Sequence, residues 1–119
     1  MRYIESSEQK VFVQWFKIQY PHFSKQLIMI PNGQNVGPIV GRRLKDMGLL
    51  PGAPDIFIAV PTAIHNGLFI EMKTKGGRVP KEQAEVHDAL RRNCYRVSVC
   101  WSADEAMLAT KEYFCDNKP

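Results

Sequence analysis

The segment GLFIEMKTKGGR, residues 67–78, sets Glu71 and Lys73 two positions apart in a run that otherwise reads as a β-strand. Strand residues at i and i+2 project from one face, so this carboxylate and ammonium share a wall while Leu68, Ile70 and Met72 project from the other. A second acid, Asp55, opens the preceding apolar run DIFIAV, 55–60. If the two runs form a hairpin symmetric about position 63, Asp55 lies across from Glu71 and Phe57 across from Phe69, with paired Cβ atoms roughly 4.5 to 5.5 Å apart. A slip of one residue would put the two acids on opposite faces, and sequence alone does not fix that parity.

Neighbouring carboxylates repel, and in a half-buried setting each also loses hydration. A shared proton, an adjacent cation or a divalent metal must compensate. Lys73 supplies one positive charge and leaves the pocket net negative. A hard cation such as Mg²⁺, which takes few carboxylates and keeps several waters or phosphate oxygens, suits such a pocket. The plainer reading is a surface ion-pair cluster, the usual fate of an ExK in a strand, and spacing does not overturn it.

The elements that would carry these residues follow from periodicity. A helix is expected from Ser6, with Ser6 or Ser7 as cap, Gln9 at capping-box distance and Phe12, Trp15 and Phe16 on one stripe, stopped by Pro21. The run Leu27 to Ile30 reads as a strand ending at Pro31-Asn32-Gly33, and 37–48 as a short helix bearing Arg42, Arg43 and Lys45. The runs 55–60 and 67–73 make the hairpin, with Asn66-Gly67 as a tight-turn dipeptide. Residues 81–92 form a helix with Gln83, Val86, His87 and Leu90 along one side, 95–101 a strand, and about 104–114 a last helix before a frayed tail at about 115–119. That order implies an α/β (α+β) layer sandwich on a mixed sheet.

At 119 residues and 45% hydrophobic, the chain fits one domain, 1–119. A formal charge of +4 favours a polyanionic partner. Cys94, Cys100 and Cys115 show no CxxC spacing, which points away from a disulfide framework or zinc knuckle and toward a reducing cytoplasm. His22, His65 and His87 form no ligand pair and read as solvent-facing or satisfied histidines. No run approaches the roughly eighteen apolar residues of a membrane span.

Gly52-Ala53-Pro54-Asp55, Gly67 through Lys73, Gly76-Gly77-Arg78 and Gln83 together resemble the VRR-NUC branch of the PD-(D/E)XK nucleases. The likeness extends to Ile30-Pro31-Asn32-Gly33, Leu44-Lys45-Asp46-Met47-Gly48 and Tyr95-Arg96-Val97, and so covers most of the chain. The resemblance implies a restriction-endonuclease-like core and a Mg²⁺-dependent DNA endonuclease, with Mn²⁺ as a substitute. It makes Asp55 the aspartate of the PD motif, Glu71 and Lys73 the acid and lysine of ExK, and the Met72 backbone carbonyl a third metal ligand. Gln83 matches the family glutamine after the glycine-rich turn, where it could order metal-bound waters or Lys73; an ordinary buried amide is the alternative. Glu8 matches an acid of the family's first helix, with helix-dipole compensation an equal alternative and Glu5 the weaker choice. Pro80 departs from the family's serine-like cap.

Lys75, Gly76, Gly77 and Arg78 are candidate phosphate contacts, because glycines admit a close backbone and the cations neutralise charge. Arg42, Arg43, Arg91 and Arg92 would extend that track. Asn32 would face substrate or simply make a turn. The resemblance further implies branched DNA as substrate, and paired cuts imply a homodimer. Two other classes remain in play: a non-catalytic DNA-binding module with a structural acidic cluster, and a small α/β protein holding acidic partners through its basic loops.

Overall fold

The alternating residues of 56–72 form a β-hairpin inside a four-stranded sheet. The computed structural model describes residues 2–31 and 36–115; Asn32 and the tail 116–119 lie outside the described residues. In chain order the elements are α1 (Arg2–Gln19), a 3-10 turn (Pro21–Gln26), β1 (Leu27–Met29), α2 (Pro38–Asp46), β2 (Ile56–Ile58), β3 (Gly67–Met72), α3 (Lys81–Arg92), β4 (Tyr95–Cys100) and α4 (Ala103–Cys115). The strands lie in the order β1-β2-β3-β4. The first two pairings are antiparallel and β3 with β4 is parallel, α3 making the crossover.

One face of the sheet carries the core. Ile56, Ile58, Leu68, Ile70 and Met72 are all essentially inaccessible and pack with Phe12 and Phe16 of α1 and Ala103, Ala106 and Tyr113 of α4. Fully burying a side chain of this size stabilises by about 1.5–3 kcal/mol, so the even-numbered positions of the hairpin hold its register firmly. Tyr113 also donates its hydroxyl to the Val60 carbonyl (2.6 Å), tying α4 to the hairpin loop. The odd-numbered face turns toward α3. There Phe57 stacks on Phe69 with ring centroids 4.3 Å apart, and Tyr95 meets both edge-on. The result is the expected mixed sheet with helices on either side.

Three local expectations need correction. Helix α1 begins at Arg2, not at Ser6 or Ser7. Nothing in Arg2 to Glu5 opposes a helix, and two serines inside one cost only tenths of a kcal/mol each, about 0.5 at most. The Asn66-Gly67 dipeptide is not the hairpin turn; that turn is Thr62–His65, closed by Thr62 N–H to His65 O at 2.8 Å and by His65 N–H to Thr62 Oγ1 at 3.0 Å. Gly67 instead opens β3 against the Phe57 ring, where a Cβ would sit 2.7 Å from Cε1. Finally, β2 is shorter than 55–60, although the ladder reaches Asp55, which receives Ile30 N–H and donates its own to Ile70 O.

Candidate active site

The register pairs odd-numbered residues of β2 with odd-numbered residues of β3. Ile58 pairs with Leu68, Phe57 with Phe69 and Ile56 with Ile70, where the pairing ends; Asp55, next along, gives its N–H to Ile70 O at 3.1 Å. Both acids are buried, Asp55 at 5% and Glu71 at 3% exposure. Asp55 Oδ2 accepts the Met72 N–H at 2.7 Å. The ladder therefore ends in a side-chain contact, from the Met72 N–H to the Asp55 carboxylate.

Helix α3 supplies the other wall. Lys73 Nζ donates to Gln83 Oε1. One turn along the helix, His87, only 2% exposed, brings Nε2 to 3.4 Å from Glu71 Oε1. Sequence reading placed His87 on this stripe without a role; the signal that could have found it is its four-residue spacing from Gln83. Pro80 precedes α3 without a side-chain cap, and Glu82 supplies a negative charge in the first turn.

The glycine-rich loop is built as a turn. Gly77 N–H closes on Thr74 O at 2.8 Å, Gly76 sits at φ +78, a left-handed position suited to glycine, and Lys75 and Arg78 are exposed. Trp101 Nε1 donates to Gly77 O at 2.7 Å and holds this loop to the end of β4, a contact that no sequence pattern announced. Glu8 Oε1 accepts the Ala103 N–H at 2.7 Å, so the acid of α1 caps α4 rather than compensating the first turn of its own helix. Arg42 and Arg43 are exposed on α2, none of whose residues is buried. A separate pocket of about 530 Å³ at the start of β4 is lined in part by His65, Arg91, Cys94 and Arg96; of the candidate residues it holds Arg91, and neither acid.

With that geometry in view, the comparisons are decisive at family level. The model of the VRR-NUC domain matches residues 3–104. The chain belongs to the VRR-NUC domain family. A solved "VRR_NUC domain protein" superposes with a TM-score of 0.82 over 94% of this chain and 88% of its own, at 22% identity, and so shares the fold. A search of curated proteins brings out no relative. Membership carries a nuclease-type, DNA-processing function.

The VRR-NUC site can be tested for a metal on its own donors. Among the described residues, no three or more His, Cys, Asp and Glu side chains form a ligand group. The donors in question are the buried carboxylates of Asp55 and Glu71 and the Met72 backbone carbonyl, all hard oxygen donors. That set is too poor for zinc and fits Mg²⁺ or Mn²⁺, which bind through one or two carboxylates and leave the remaining positions to waters and phosphate.

Proposed function

We propose that this VRR-NUC domain is a divalent-metal-dependent DNA endonuclease of the PD-(D/E)XK type, its Mg²⁺ or Mn²⁺ held by Asp55, Glu71 and the Met72 carbonyl. The observation that supports the reading is two buried acids, Asp55 and Glu71, flanking the last pair of the β2–β3 ladder, with Lys73 held by Gln83 two residues beyond Glu71. A divalent ion at such a site supplies Lewis acidity toward a phosphate oxygen and acidifies a water. Asp55 is oriented by Met72 N–H. Lys73 Nζ spends one N–H on Gln83 and keeps two for the attacking water and the phosphate, where its charge offsets the charge that develops. Glu8 accepts the Ala103 N–H at Oε1 and keeps acceptor capacity for ordered water.

Lys75, Gly76, Gly77 and Arg78 present backbone and cations to the phosphate chain, with Arg42, Arg43 and Asn32 as outlying contacts. One site cuts one strand, so paired cuts in branched DNA would call for a homodimer; the branched preference rests on family resemblance. The whole of 1–119 then acts as one nuclease domain, in the cytoplasm or at the nucleoid. No helix of the described residues is long and apolar enough to cross a membrane.

The test is cleavage of labelled linear, flapped, single-stranded and four-way DNAs with Mg²⁺, Mn²⁺ or EDTA. Cleavage that disappears in EDTA and in Glu71→Gln, with DNA binding kept, supports the enzyme. Inactivity of folded protein on every substrate would leave the DNA-binding module in its place.

A further inference from the structure

The face that α3 turns to the sheet carries two polar contacts in series: Gln83 holds Lys73, and His87 meets Glu71. Along the helix the two contacts are four residues apart, about 6 Å at 1.5 Å per residue. Along the strand they are two residues apart, about 6.6–6.8 Å at 3.3–3.4 Å per residue. The two repeats match, and they run in opposite directions, Gln83 to His87 against Lys73 to Glu71. One helix face can therefore grip both members of Glu-x-Lys at once.

Resting on the metal-dependent reading above, we propose that His87 is a positioning residue, whose Nε2–H engages Glu71 Oε1 and leaves Oε2 aimed at the metal position. Glu71 and His87 are 3% and 2% exposed, so bulk water does not share in this contact as it would at a surface. A buried carboxylate with one oxygen held keeps a single rotamer, and a carboxylate with one rotamer binds an ion without first ordering itself. Simple core filling by His87 would account for its burial. It would not account for the choice of imidazole at 3.4 Å from the acid, since a leucine would fill the same space.

Mn²⁺ titration by calorimetry on the full chain decides the matter, with wild type, His87→Leu and His87→Gln compared. The expected result is Mn²⁺ affinity weakened about 10- to 100-fold in His87→Leu and restored to within about 3-fold in His87→Gln, whose amide keeps a donor. Unchanged affinity in folded His87→Leu would overturn the positioning role while leaving the metal site intact. A wild type that binds no Mn²⁺ would sink the metal site itself, and this role with it. If His87→Leu does not fold, the imidazole ¹H–¹⁵N spectrum answers instead: the His87 Nε2 resonance should move on Mg²⁺ saturation in wild type and stay still in Glu71→Gln. A resonance that ignores bound Mg²⁺ in wild type would equally overturn the proposal.

Discussion

Replacing Glu71 with glutamine keeps the length of the side chain and its acceptor for His87 Nε2, and removes one of two neighbouring buried charges. If their charges stand about as far apart as the Cβ atoms of directly opposed strand residues, about 5 Å, two carboxylates repel by roughly 3 kcal/mol at an effective dielectric constant near 20. Against that relief stands the difference between a charged and a neutral acceptor, about 1 kcal/mol, and less at a separation as long as 3.4 Å. The metal-free variant should therefore be more stable than wild type by roughly 1–2 kcal/mol, which raises the melting temperature by roughly 4–8 °C. Divalent ion should reverse the order: at a hundredfold excess over its Kd it adds about 2.7 kcal/mol to wild type and nothing to Glu71→Gln. Thermal unfolding followed by circular dichroism, in EDTA and then in Mn²⁺, measures both arms. A variant clearly less stable than wild type in EDTA, or one that gains as much from Mn²⁺, would refute the reasoning.

Other expectations are simpler to check. Glu8→Ala should cost about 1 kcal/mol in urea unfolding by freeing the Ala103 N–H, and Glu8→Gln should cost less because its amide oxygen still accepts; equal losses would contradict the capping role. Cys94 occupies a left-handed position (φ 65) after α3, so Cys94→Gly should stabilise by up to about 1 kcal/mol, and destabilisation would argue against strain there. Burial first, and then the Glu105 charge, push the Cys100 thiol up to about 12, against 9.0 unperturbed. The folded state thus holds that proton more tightly. The associated stability is present below about pH 9 and is lost as pH climbs toward 12, at up to about 1.4 kcal/mol per unit. Cys100→Ala should flatten that fall, and an unchanged slope would contradict it.

Much of the fold was legible because burial writes itself into period. Leu68, Ile70 and Met72 alternate with Phe69, Glu71 and Lys73 as a sheet with two differently covered faces requires, and Pro21 marks the end of α1 plainly. The start of α1 was not legible, since Ser6 and Ser7 look like caps and the competing signal upstream is only the absence of a breaker. Gly67 misled for a related reason. Glycine serves a turn and a close aromatic contact equally well, and only the Phe57 ring, ten residues away in sequence, tells the two apart. In the site, Asp55, Glu71, Lys73 and Gln83 could be chosen from spacing and resemblance; the structure joins Lys73 to Gln83 and Asp55 to the Met72 N–H. Trp101 could not be chosen, because its partner Gly77 lies in a loop far back in the chain; His87 shows in sequence only as a member of the Gln83 stripe, and the fold alone supplies its partner, Glu71.

The most direct measurement is anomalous diffraction from crystals soaked in MnCl₂. The account predicts a manganese peak roughly 2 Å from carboxylate oxygens of Asp55 and Glu71 and from the Met72 carbonyl, and its loss in Glu71→Gln. A protein that cuts DNA with manganese bound elsewhere, or with none near these two acids, would contradict it.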